Sequence, residues 1–280
     1  MLSFHSHPPA SGMTFAAQNR VSLIPYMHYP RLLTYFLVFS LLLFNCPNFF
    51  AQSLIVGIPS ADAAPEGTLE FTHESQFYTE GKPRKWNSFN ILCYGMGAET
   101  ELTATLNNLN NLNNKDLAFG AGIKKIFKPG GKTQADWRLT TGGNLLFSLR
   151  TNEIGGWAYS HISRRIPATK TRLTAGFSYG SHQQFGYRMR FPESSGMTVR
   201  ENLTPLCFIG GIEQQLFGNW SFIADWYSGT HNLADFIPAI QYRLGHQIFI
   251  AGYKFPNPGS GGKSAIIFEC MLSMPDFLKK

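Results

Sequence analysis

From residue 67 to residue 274 the chain divides into segments of about ten residues in which apolar and polar side chains alternate, separated by turn residues. Period-two alternation over this length predicts strands with one face on an apolar medium. In Thr171–Gly180 one face carries Leu173, Ala175, Phe177 and Tyr179, the other Arg172, Thr174, Gly176 and Ser178. Residues 219–228 repeat it, with Trp220, Phe222, Ala224 and Trp226 opposite Ser221, Ile223, Asp225 and Tyr227. In 116–124, Leu117, Phe119, Ala121 and Ile123 stand against Ala118, Gly120, Gly122 and Lys124, and 135–149 places Trp137, Leu139, Leu145 and Phe147 opposite Arg138, Thr140, Gly142 and Asn144. Such small second-face residues cannot fill a soluble core.

The alternation predicts twelve strands: 67–78, 87–96, 98–106, 116–126, 136–149, 154–163, 171–180, 204–216, 219–228, 232–243, 246–254 and 263–273. An even number suits a single-chain barrel. The weak alternation of 87–96 and 246–254 leaves the count open between ten and fourteen. The three tightest connections, Gly97, Phe217-Gly218 and Leu244-Gly245, all fall at even positions. The longest, 181–203, falls at an odd one, as do the Asn-rich 107–115 and 255–262. The sorting predicts short turns at one end of a barrel and long loops at the other. All five tryptophans, Trp86, Trp137, Trp157, Trp220 and Trp226, lie near predicted strand ends, where interfacial girdles form.

Composition agrees. Of 280 residues 15% are charged and 14% aromatic, with 27 Gly and 24 Phe, against a charged fraction of about 25% in average soluble domains. A mean hydropathy of −0.12 is too polar for a bundle of membrane helices. The reading is all-β: a transmembrane antiparallel up-and-down β-barrel of about twelve strands over 67–274, followed by a tail at 275–280.

Residues 31–44 form a basic residue and then an apolar run, read as a secretory signal over 27–51 with Met27 as its start and 1–26 as an upstream, non-native or disordered extension. Cleavage after Ala51 is the first choice, Ala61-Asp62-Ala63 offers a second site, and an uncleaved anchor is the alternative. Residues 52–66 are then a periplasmic N-terminal segment. Loss of Cys46 with the signal leaves Cys93, Cys207 and Cys270, with neither CxxC nor Cys/His spacing, so no disulfide framework, metal site or cofactor is indicated.

The stretch from Ile58 to Glu70, IPSADAAPEGTLE, leading into the first strand, resembles the opening of bacterial outer-membrane β-barrel proteins of porin-like or transporter type. The hairpin YGMGAETEL, from Tyr94 to Leu102, resembles one that recurs in them. The resemblance implies the bacterial outer membrane and transport, and it carries over no functional residue. The chain departs from many such barrels in ending without a terminal aromatic residue.

Most strand charges share the face of the small polar residues. A cation on the lipid face at midplane costs about 2–4 kcal/mol. Arg138, Arg172 and Arg243, set against Glu101, Glu213 and Asp225, are therefore the candidate lumen-lining, selectivity-setting residues. Arg188, Arg190 and Arg200 in the longest loop, and Lys82, Arg84 and Lys85 in the first, are external basic positions. Arg164, Arg165 and Lys170 fall on the periplasmic side. No recognition helix carries the positive charge, so nucleic acid is excluded as a partner.

His161 and Ser163 share a strand face and superficially resemble the residues of outer-membrane phospholipases, but Arg164-Arg165 follows where those enzymes carry Asn-Gly. No enzyme activity is assigned. The expected function is a narrow passive channel for small hydrophilic solutes, anionic ones among them, with membrane lipid as partner. A closed structural or adhesive barrel acting through its loops is the alternative, a lipid-modifying barrel enzyme a second, and a soluble secreted β-barrel with an apolar ligand inside a third.

Overall fold

The computed structural model describes residues 53–277 apart from 82–85, 111–116, 130–136, 186, 191–198, 203–205 and 261. The extension 1–26, the signal 27–51, the loop cations Lys82, Arg84 and Lys85, and the end of the tail lie outside the described residues. The strands are β1 Leu69–Tyr78, β2 Trp86–Gly97, β3 Thr100–Asn107, β4 Ala118–Phe127, β5 Trp137–Ser148, β6 Ile154–Ile166, β7 Thr171–Gly180, β8 Tyr187–Arg190, β9 Val199–Asn202, β10 Leu206–Gln215, β11 Trp220–Tyr227, β12 Asp235–Leu244, β13 Gln247–Pro256 and β14 Ala265–Met274. Among the described residues a short helix, α1, spans His182–Phe185.

Twelve strands close on themselves, each antiparallel to its sequence neighbour, with β10 following β7 and β14 pairing back to β1. Closure leaves no unpaired edge, which is the condition for a sheet to stand in lipid. Strands β8 and β9 form a separate hairpin inside the longest loop, an element the alternation does not reveal. Each of the twelve expected strands overlaps a barrel strand, and 171–180 coincides with β7.

The faces sort as the alternation requires. Phe177, Leu145 and Ile154 stand on the outer surface at 59%, 56% and 60% exposure, while Arg172, Thr174 and Ser178 of β7 are buried inside. Trp86 and Trp226 mark the loop end of the outer surface, and Trp137 and Trp220 the turn end. Trp157 does not join them. It points into the barrel and packs on Tyr159, with ring centroids 4.9 Å apart, because its position on β6 has inward parity. At the turn end Arg164 lies over the Trp137 ring at 5.1 Å and Lys125 over Phe127 at 5.9 Å, basic groups set where phosphate headgroups begin.

The inward glycines make room rather than leave voids. A Cβ on Gly122 would come 2.6 Å from Thr103 Oγ1, and one on Gly120 would collide with Thr105 Oγ1. The small face of β4 is thus covered by polar side chains of its neighbours. Among the described residues, Cys93 and Cys207 are buried and free and Cys270 is exposed and free.

Candidate functional site in the filled lumen

The lumen is occupied by the chain itself. Residues 53–64, within the stretch that the sequence assigns to a periplasmic lead-in, lie inside the barrel. Ile55, Val56, Ile58, Ser60 and Ala61 have no exposed surface. The Ile55 amide donates to Ile58 O at 2.9 Å, Ser60 N to Ser53 O at 3.0 Å, and Leu54 bridges Pro59. The segment is therefore a tight hairpin with Val56-Gly57 at its tip. Its base lies level with the starts of β1 and β3, so it enters tip-first from the short-turn end. Gly211 on β10 provides the space, since a Cβ there would lie 2.6 Å from Ile55 Cδ1. Burying Ile55, Val56 and Ile58 contributes about 1.5–3 kcal/mol each.

The tip is held by a wall carboxylate. Asp225 Oδ2 on β11 accepts the backbone N–H groups of Val56, Gly57 and Ile58 at 3.0, 2.6 and 3.0 Å. Three successive amides converging on one oxygen form an anion nest, here closed on a side chain of the same molecule. Tyr227 donates its hydroxyl to Gly57 O at 3.2 Å, while Asp225 Oδ1 is buried with no hydrogen-bond partner among the described residues.

The start of the entering arm and the end of the returning one meet a second cluster. Ser53 Oγ lies 2.8 Å from Glu70 and 2.7 Å from Glu101, and Lys124 Nζ donates to Ser53 O at 2.9 Å while pairing with Glu101 at 3.2 Å. The Ala64 amide donates to Glu101 at 2.9 Å.

The base is ionic. Asp62 receives Arg172 through Nη1 at 2.6 Å and Nη2 at 3.3 Å, and it also accepts from Arg138. Arg172 reaches Glu213 at 3.5 Å. Burial pushes the Asp62 carboxyl up, but the Arg172 and Arg138 guanidiniums outweigh it and hold the group below the usual aspartate range. The base borders a vestibule of about 350 Å³ that opens at the short-turn end, and Arg165, Lys170 and Arg243 also line it. None of these three makes an ion pair with a described residue.

Beside the hairpin, from Ser53 and Glu101 to past its tip, runs a cavity of about 210 Å³, bordered toward the loops by Trp157, Tyr159, Tyr227 and Leu233 and by the Asp235–Lys254 pair, 2.9 Å apart. Phe185 of α1 caps this end. Its ring is buried and stacks on His231 with centroids 4.3 Å apart, and its carbonyl accepts the Asn232 amide at 2.8 Å. His231 Nδ1 accepts the Leu233 N–H at 3.2 Å. Burial lowers the pKa of this imidazole, against the opposing bond with the Ser228 backbone.

No protein-family model matches the chain, and no curated protein resembles it in sequence. Among solved structures it is similar to the NanC porin, with 14% identity, a TM-score of 0.48, and coverage of 74% of this chain and 98% of that one. The KdgM porin, solved in complex with a disordered oligogalacturonate, gives 8% identity and a TM-score of 0.45, covering 74% and 99%. The translocator domain of the autotransporter NalP from Neisseria meningitidis gives 12% identity and 0.34, covering 74% and 86%. What decides the class is the closed sheet with its exposed apolar outer belt. The architecture is that of a transmembrane, twelve-stranded antiparallel β-barrel.

Within this barrel all six candidate lumen residues face inward. Arg138 and Arg172 meet on Asp62, Glu213 lies beside Arg172, and Arg243 lines the same vestibule. Glu101 belongs to the Ser53–Lys124 cluster, and Asp225 holds the tip far from the others. Arg188 and Arg190 fall on β8 and Arg200 on β9, and their side chains lie outside the described residues. His161 and Ser163 lie 3.3 Å apart and are buried, His161 against the Pro59 backbone of the hairpin and Ser163 on Thr174 at 2.8 Å. Sequence reasoning missed Asp62, the residue on which the arginines converge. Its one signal is an acidic side chain between alanines next to a short apolar run, which a leader-processing site matches equally well.

Proposed function

We propose that the protein is a channel of the bacterial outer membrane for small hydrophilic, anionic solutes, held closed by its own N-terminal hairpin. One observation carries the reading: the twelve-stranded wall encloses a lumen wide enough for a complete hairpin, and the wall residues Glu101, Lys124, Arg138, Arg172 and Asp225 all bond to that hairpin. Eight-stranded barrels fill their interior with wall side chains alone. With the hairpin withdrawn, Arg138, Arg172 and Arg243 would line the path and attract anions, with Glu101, Glu213 and Asp225 setting the opposing field.

The test is planar-bilayer conductance of the intact chain against a deletion of residues 53–62. The intact protein should remain closed most of the time, and the deletion should give steady, anion-selective conductance. A deletion variant that folds as a heat-modifiable barrel but stays silent would overturn the reading. A second reading, a closed barrel acting through its loops, is favoured by the Phe185–His231 cap, and that silent outcome would support it. Export by the 27–51 signal belongs to the same proposal. Cleavage after Ala51 retains the hairpin, whereas cleavage at Ala61-Asp62-Ala63 removes most of it, so the mass of the mature chain distinguishes the two.

A further inference from the structure

The base of the hairpin is a carboxylate-binding site whose present occupant is part of the chain. Asp62 sits between two guanidiniums, bidentate on Arg172 and shared with Arg138, the geometry that recognises a free carboxylate. Around it the vestibule carries five basic side chains against two carboxylates among the described residues. Arg165 stands directly opposite Arg172 in the β6–β7 register, a like-charge pairing that is unfavourable unless an anion bridges it. Arg165, Lys170 and Arg243 make no ion pair with a described residue, yet they border a space of about 350 Å³ open to the short-turn side. The amide groups of Gln214 and Gln241 and the hydroxyl of Ser221 line the same space, donors suited to the further oxygens of an organic acid.

We propose that this vestibule binds small organic anions carrying two or more carboxylates, and that such an anion competes with Asp62 for Arg138 and Arg172 and so releases the hairpin. Asp62 is an internal competitor that keeps the channel shut until solute displaces it. The proposal rests on the gated-channel reading above and adds the chemistry that opens the gate. The tip contact at Asp225 involves no mobile charge, so release starts at the base, where the chain joins β1. Because the vestibule lies at the short-turn end, the opener acts from that side.

Single-channel recording tests this with tricarballylate as probe and chloride at matched ionic strength as control. In the wild type, tricarballylate added to one compartment should raise the open probability by about ten- to a hundredfold, the change expected for losing one charge-assisted contact. Added to the other compartment it should do nothing. Asp62→Asn should open without the anion and lose the response, and hydrogen exchange at the Val56–Ile58 amides should rise in that variant and in wild type with tricarballylate. A wild type indifferent to the anion, or responding equally from both sides, overturns the proposal, as does an Asp62→Asn variant that stays shut. If in these cases the 53–62 deletion still conducts, the hairpin remains the gate and only the opener is wrong. If the deletion is silent as well, the channel reading falls with it.

Discussion

The two ends of the inserted hairpin are held by opposite chemistry. At the tip, three neutral backbone amides converge on Asp225, 1% exposed and walled in by Tyr227 and Ile237. At the base, a charged Asp62 meets charged arginines beside a wet, open vestibule. Removing either partner of the tip orphans buried donors that little else can satisfy, so that anchor is fixed by desolvation. The base is a charge-assisted pair at the edge of the vestibule, with Arg172 7% and Asp62 20% exposed, so another anion can reach the arginines and take the place of Asp62. One anchor sets where the hairpin sits, and the other sets how easily it leaves.

Asp225→Ala should have the largest effect on this contrast. It leaves the Val56, Gly57 and Ile58 amides without their acceptor, at a cost of about 3 kcal/mol or more. Amide exchange at these residues should accelerate by about a hundredfold or more, and conductance should appear without any anion. If exchange at the tip is unchanged, the tip is not the fixed anchor. Gly211→Leu comes next. The new side chain would overlap Ile55 and Ile58 and cost about 1–3 kcal/mol, favouring withdrawal of the whole hairpin, whereas Gly176→Ala crowds the wall and not the hairpin. Protease accessibility of 53–60 reads the difference.

Acid gives the smallest effect and separates the base from the opposite end of the barrel. Asp62 has a depressed pKa in the fold, so its contribution is complete above the ordinary aspartate value of about 3.9 and is lost as pH falls through the folded value below it. His231 is also depressed, by burial under Phe185. The cap is therefore fully stable above the ordinary histidine value of about 6.5 and weakens as pH falls below it, when protonation of Nδ1 displaces the Leu233 N–H. Acidification should loosen the cap first and the base only below about pH 4, each with a slope of at most about 1.4 kcal/mol per pH unit. Exchange at Asn232–Ala234 and at Ala61–Ala63 follows the two steps. The reverse order would mean that the cap does not depend on a neutral His231.

The wall was legible because its signal is local and repeated. Each strand announces its faces within ten residues, as Leu173 to Tyr179 do, and the connections at Gly97, Phe217-Gly218 and Leu244-Gly245 set the direction of every hairpin. Even the inward facing of Arg172 and Asp225 followed, since parity along one strand is enough. Trp157 escaped because nearness to a strand end does not say which face a ring occupies. The hairpin at 53–60 escaped for a stronger reason. Its apolar run Leu54–Ile58 falls in the stretch 52–66 that the sequence assigns to a periplasmic segment, and the groups that hold it are distant in sequence, Glu101 by 48 residues from Ser53 and Asp225 by 169 from Val56.

By itself, then, the amino-acid order determined a wall of about twelve strands, its greasy exterior and its ionic interior, because a two-residue period needs no knowledge of distant neighbours. Only the tertiary structure decided that this interior is occupied, and by which residues. Closing the wall brings Arg138, Arg172 and Asp225 around a common axis. Their charges and the space over Gly211 then fit the segment that supplies Asp62, the tip amides and Ile55.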